Sequence, residues 1–191
     1  MGKIILCRGK KADTPLTVLQ TGVKLYTAEE LCYYIYNNIY LIGQDFIDDN
    51  LISFLDETGE KELAERVRKL KETGGSLAQI FVIILKTIDY YSVEEIEQLK
   101  GILNTLGKQS VCERLKARGD GYLNAGYYFA AVRCYESIIK DYKGKDLLAA
   151  DYAKVYHNLG TAYARMFMYD KAVIYYDEAY RTGQHLSLIH I

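Results

Sequence analysis

The spacing of apolar positions changes near residue 27. Before it they come as short runs: Lys3-Ile4-Ile5-Leu6-Cys7, Leu16-Thr17-Val18-Leu19-Gln20 and Val23-Lys24-Leu25-Tyr26. A polar stretch from Arg8 to Pro15 separates the first two, so residues 1–26 predict a small β-hairpin or meander. From Thr27 onward apolar residues recur at three and four, the period of an amphipathic helix. Thr27-Ala28-Glu29-Glu30 reads as a capping box, in which hydroxyl and carboxylate satisfy each other's backbone amides. The helix it opens carries Leu31, Tyr34, Ile35, Ile39 and Ile42 on one face and is expected to stop at Gly43. A second helix is expected over Asp45–Glu57, with Phe46, Leu51, Phe54 and Leu55 inward, and a charged third over Lys61–Glu72 with the stripe Leu63, Val67, Leu70. Gly74-Gly75-Ser76 breaks the chain and caps a strongly apolar helix, Leu77–Asp89. Ser92-Val93-Glu94-Glu95 is a second capping box, opening a helix to Leu106 before Gly107. Residues 27–108 therefore predict a helical domain.

The C-terminal part repeats itself. At an offset of 41 residues Gly119 falls on Gly160, Tyr122 on Tyr163, Tyr128 on Tyr169, Ala131 on Ala172, Tyr135 on Tyr176 and Glu136 on Asp177. Each unit reads as helix, short turn, helix. Tyr156, Leu159 and Tyr163 share one face of the first helix of the second unit. Gly160 and Ala172 are small enough for two antiparallel helices to approach closely, and Tyr176 and Ala179 close the second helix onto the next layer.

The pattern Tyr156-x-x-Leu159-Gly160-x-x-Tyr163 followed by Ala172-x-x-x-Tyr176-x-x-Ala179 resembles the tetratricopeptide repeat. The first unit matches less fully, with Arg118 where an apolar residue is usual, and neither unit has the Pro that often ends the repeat. The offset of 41 exceeds the usual period of about 34, which places extra residues in Lys143–Asp151, as a longer second helix or a loop. The resemblance implies a mainly α fold: antiparallel helix pairs at 112–145 and 153–184 within 109–184, wound as a right-handed superhelix. It also implies a concave groove for a peptide or protein segment. Carried over residue by residue, groove positions are Lys116, Asp120, Leu123 and Asn124 in the first unit. In the second they are His157, Asn158, Thr161, Ala164 and Arg165. Some repeats of this family clamp a C-terminal carboxylate with Lys and Asn. Lys116 and Asn158 match those places, whereas Asp120 stands where an Asn is expected and would repel such a ligand.

Composition narrows the chemistry. In 191 residues, 24 Lys and Arg balance 25 Asp and Glu, which argues against nucleic-acid and membrane-surface binding. Four cysteines, Cys7, Cys32, Cys112 and Cys134, form no C-x-x-C pair. With no visible leader they point to a reducing, cytoplasmic setting. The longest apolar run, Ile80–Leu85, is far short of a bilayer span. No metal set or cofactor motif appears. Asp48-Asp49 diverge on a helix, Cys32 or Cys134 beside His157 reads as buried thiol before nucleophile, and Gly119-Asp120-Gly121 is too sparse for a phosphate loop. Tyr33, Tyr34, Tyr36, Tyr40, Tyr90 and Tyr91 come without surplus cations and read as packing or a protein-contact surface. Leu186–Ile191 resemble a translated sequencing-library adaptor, so the expectation is a tail foreign to the fold on a truncated protein.

These features predict a non-catalytic, cytoplasmic scaffold or adaptor with a protein or peptide partner. The alternatives are a regulatory domain of a larger protein, or a small-ligand sensor with a pocket lined by Tyr33, Tyr34, Tyr36 and Tyr40.

Overall fold

The computed structural model describes residues 7, 9–142 and 148–189, which fall into two compact units divided between residues 108 and 109. Among the described residues the architecture is mainly helical with one small antiparallel sheet.

In the first unit, β1 (Leu16–Val18) pairs with β2 (Val23–Leu25), Leu16 opposite Leu25 and Val18 opposite Val23. The chain turns at Gly22, whose φ of 71° suits a residue without Cβ. The expected strand at Lys3–Leu6 lies outside the described residues. Helix α1 (Ala28–Asn37) starts with the Thr27/Glu30 capping box. It ends five residues before the expected Ile42, because two side-chain amides take its last carbonyls. Asn37 donates to Tyr33 O at 2.8 Å and Asn38 to Tyr34 O at 3.0 Å. Ile39 and Ile42 are buried all the same, so the apolar spacing there reports burial of the following turn.

The helix expected from Asp45 is a 3-10 turn, Gln44–Phe46, followed by α2 (Asp49–Glu57). The break occurs because Asp48 caps α2, accepting the Leu51 N–H at 2.9 Å. Helices α3 (Lys61–Glu72) and α4 (Leu77–Ile88) follow, α4 opened by a Ser76/Gln79 capping box. Ile80, Phe81, Ile84 and Leu85 of α4 are fully buried. Helix α5 (Val93–Lys108) runs through the expected stop at Gly107; a glycine ends a helix where the backbone turns left-handed, and this one does not. One apolar cluster, from Ala12 to Leu103, ties these elements together.

The described residues of the second unit form four helices: α6 (Val111–Asn124), α7 (Tyr128–Asp141), α8 (Ala149–Arg165) and α9 (Tyr169–Ile189). Helix α6 packs on α7, α8 on α9, and α8 lies along α7. Extra residues of the second repeat lengthen its first helix: α8 begins three residues before the position equivalent to the start of α6. Residues 143–147 lie outside the described residues. Helix α9 continues past Gly183, the expected stop, and residues 186–189 of the tail expected to be foreign are helical. Gly183 keeps a helical backbone and nothing crowds it.

The glycines inside the repeats set the helix spacing. A Cβ on Gly119 would lie 2.7 Å from the Tyr135 ring, and one on Gly160 would lie 3.0 Å from the Tyr176 ring and 3.2 Å from Ala172 O. The close approach expected at Gly160 and Ala172 is present, but Tyr176, expected to face the next layer, turns back onto Gly160 of its own pair, because only a residue without Cβ leaves room for the ring there.

Candidate functional site

A cleft of about 640 Å³ opens on the second unit. It is lined by Lys116 of α6, by Ala153, Lys154, His157 and Asn158 of α8, and by Tyr176, Ala179 and Tyr180 of α9. Helical spacing explains the α8 contribution: residues 153, 154, 157 and 158 are three and four apart and share one face. The lining combines two tyrosine rings and two alanines with two ammonium groups and an imidazole. His157 is exposed, with its ring 5.3 Å from that of Tyr176.

Of the groove positions expected from sequence, Lys116, His157 and Asn158 line this cleft. Leu123, Asn124, Thr161, Ala164 and Arg165 do not; Asn124 and Arg165 are exposed at the ends of their helices. The Thr161 hydroxyl instead donates to His157 O at 3.0 Å and meets the Tyr176 hydroxyl at 3.1 Å. Lys154, Tyr176 and Tyr180 were not expected there. Lys154 precedes His157 by one helical turn, and Tyr176 and Tyr180 are four apart on α9, so face spacing carries the signal that a family correspondence misses.

Asp120 has a different role from the open groove wall expected. It accepts hydrogen bonds from Lys116 Nζ at 2.7 Å, from Tyr135 Oη at 2.6 Å and from Asn158 Nδ2 at 2.9 Å. Lys116 and Asn158 are the two residues that match a carboxylate clamp, and both donors are met by a carboxylate of the chain itself. The cluster spans α6, α7 and α8 and fixes their registry. Burial first, then the Asp120 hydrogen bond and charge, push the Tyr135 hydroxyl well above its ordinary pKa. A second cluster joins α7 to α8: Glu136 accepts from Tyr163 Oη at 2.8 Å and Lys140 Nζ at 2.9 Å. Burial raises the Glu136 pKa, but these hydrogen bonds and the lysine charges outweigh it and hold the carboxyl below its ordinary value.

The other chemistry weighed from sequence resolves locally. Asp48 caps α2 and Asp49 pairs with Lys71 at 2.7 Å. Cys32, Cys112 and Cys134 are buried, and burial first, then Glu29 and Glu60, push the Cys32 thiol far up, away from the thiolate a nucleophile needs. Gly119-Asp120-Gly121 lies inside α6. Tyr34 is buried against Phe46, and Tyr36 stacks on Tyr91 at 4.2 Å, so these rings are spent on packing. Among the described residues, no group of three or more His, Cys, Asp or Glu could hold a metal ion, and no helix is long and apolar enough to cross a membrane.

No family model, curated protein or solved structure matches this chain.

Proposed function

We propose that the second unit is a non-catalytic binding platform of tetratricopeptide type, with its helix pairs wound as a right-handed superhelix. Its cleft takes a segment of a partner protein. The observation that supports this reading is the cleft itself, where Tyr176 and Tyr180 lie beside Lys116, Lys154 and His157. A surface of that kind suits a segment with an apolar or aromatic anchor and acidic flanks. Lys116 is held by Asp120 in a mostly buried pair, whereas Lys154, paired with Asp151 at 3.1 Å, is 64% exposed and its pair yields readily to a ligand, so Lys154 and the exposed His157 are the selective positions.

The test is selection of 15-residue peptides from a random display library against the full chain, then against a Lys154→Glu/His157→Ala double variant. Enriched peptides rich in Asp, Glu and aromatics, with affinity lost in the variant, support the reading. No enrichment, or equal enrichment on both proteins, refutes it. Asn158 is left unchanged because it holds Asp120 and Tyr135, and its loss would report on the fold.

A further inference from the structure

In the first unit, β1 has a strand partner on one side only among the described residues. A groove of about 280 Å³ runs between β1 and α2, lined by residues 14–17 and 19 and by Asp48, Asn50, Ser53, Phe54 and Glu57. Leu16 and Thr17 point to opposite faces of the strand, and no β2 residue lines the groove, so it follows the β1 edge remote from β2. Residues 50, 53, 54 and 57 are three and four apart and form one face of α2. The two walls run antiparallel. The Thr14 N–H donates to Glu57 Oε2 at 3.2 Å at one end, and Gln20 Nε2 donates to Asp45 Oδ2 at 3.0 Å at the other. A strand edge presents backbone N–H and C=O groups to an added strand.

The groove carries one sign of charge. Asp48 and Glu57 line it, and no Lys, Arg or His does among the described residues. Neutral donors hold both carboxylates: the Leu51 N–H reaches Asp48 Oδ1 at 2.9 Å, Asn50 Nδ2 reaches Asp48 Oδ2 at 2.7 Å, and the Thr14 N–H reaches Glu57. These bonds orient the two charges without cancelling them. Asp48 caps the start of α2 and Glu57 ends it, which separates them by about 13 Å along the helix axis. Four steps of an extended chain, roughly 3.4 Å each, cover the same span, and residues i, i+2 and i+4 of such a chain share a face. Pro15, Leu19 and Phe54 add apolar surface to the lining, Leu19 being 82% exposed.

We propose that this β1 edge takes an extended segment of another protein, added to the sheet beyond β1, with the pattern basic-x-aliphatic-x-basic. Its two cations meet Asp48 and Glu57, and its central side chain packs in the groove between them. The site belongs to the first unit and does not depend on the cleft of the second.

The test uses the full chain and a fluorescein-labelled peptide, Lys-Thr-Val-Thr-Lys with blocked ends, read by anisotropy at low salt. Saturable binding is expected. The double variant Asp48→Asn/Glu57→Gln keeps the helix cap and the Thr14 hydrogen bond but loses both charges, and should weaken binding about fivefold. Ser53→Arg places a cation at an exposed position midway along the lining and should weaken it about tenfold. Thermal melting of these variants should match the unaltered chain. The isomer Lys-Lys-Thr-Val-Thr and the acidic peptide Glu-Thr-Val-Thr-Glu should not saturate. Of two peptides methylated on backbone nitrogen, at residue 3 or at residues 2 and 4, one should lose binding, because alternate amides of a strand face its neighbour. Absence of saturable binding overturns the proposal. Equal binding of the isomer, or indifference to both methylated peptides, also overturns it, because the contact is then charge alone. Binding that arises only once residues 1–6 are removed, or a dimer in sedimentation that Ser53→Arg dissociates, overturns it too, because the chain itself or a second copy then holds the edge.

Discussion

Phe167 and Gly126 occupy the same place in the two repeats, and both turns need a left-handed residue there. Gly126 has φ of 83° and Phe167 φ of 61°. For an L-residue that conformation costs roughly 1–2 kcal/mol, and glycine escapes it. The Phe167 ring offsets little of this, since 78% of the residue is exposed. The buried remainder corresponds to about 0.5 kcal/mol of the roughly 1.5–3 kcal/mol for full burial. Glycine in turn has a looser unfolded chain, which costs about 0.4–1 kcal/mol. Phe167→Gly and Phe167→Ala both lose the ring, but only the alanine keeps the strain. The glycine variant should therefore be the more stable by about 0.5–1 kcal/mol. Gly126→Ala should destabilise by a similar amount, because no atom lies closer than 4.0 Å to the added methyl and the cost is purely backbone. Hydrogen exchange, resolved by peptide mass spectrometry across α6–α7 and α8–α9, reads the local opening free energies without requiring a single unfolding transition. Alanine at 167 equal to or more stable than glycine, or a silent Gly126→Ala, would refute the strain assignment.

Two further outcomes follow from the packing. Gly119→Ala should destabilise α6–α7 by about 1–2 kcal/mol, because a methyl at 2.7 Å meets the wholly buried Tyr135 ring and overpacking outweighs the gain in helix propensity. Gly160→Ala should cost less, since the Tyr176 ring it meets is 37% exposed and has room to move; the same exchange experiment ranks the two. Raised pH should weaken the second unit through Tyr135. Its folded hydroxyl holds the proton more tightly than the unfolded one, so stability is full below the ordinary tyrosine value of 10.0 and falls as pH rises above it. Urea midpoints of the C-terminal transition from about pH 9 to about pH 11 should fall less steeply in Tyr135→Phe, with Tyr163 and Tyr175, both raised by burial and by Glu136, contributing to the remaining slope.

The sequence was most legible where chemistry is local. The capping boxes at Thr27 and Ser92 and the bounds of α3 need only neighbours within one turn, and the structure places them as expected. The close approach at Gly160 and Ala172 was legible too, because the repeat supplied a second copy of the same constraint, whereas the direction of Tyr176, onto Gly160 of its own pair, was not. Helix ends fared worse. Asn37 and Asn38 stop α1 by side-chain capping that an apolar periodicity cannot register, and Gly107 and Gly183 pass as ordinary helical residues because a glycine permits a turn without imposing one. The cleft was half legible. Family correspondence located Lys116, His157 and Asn158 but also named Leu123, Asn124 and Arg165, and it missed Tyr180, which reaches the cleft from the second helix of the pair.

Asp120 shows why residue-by-residue transfer falls short at such a site. Read alone, it is one acidic exception among donors suited to a ligand carboxylate. In the structure its Oδ2 meets Lys116 and its Oδ1 meets both Tyr135 and Asn158, so the exception consumes the donors it was expected to spoil. A ligand carboxylate arriving there would displace a carboxylate already held at a far higher effective concentration, and would face its charge while doing so. Under the proposed reading, selectivity then moves along α8 to Lys154 and His157 and onto the tyrosines of α9, away from the end of a peptide and toward its interior. The second repeat carries Thr161 at the position equivalent to Asp120, and its hydroxyl meets Tyr176 in the same hydrogen-bonding place with no charge to neutralise. One position thus joins first helix to second in both pairs. Its charge in the first repeat draws Asn158 of the next helix into the same cluster and makes the junction of α6, α7 and α8 a structural joint, which leaves the exposed cleft residues as the part free to bind.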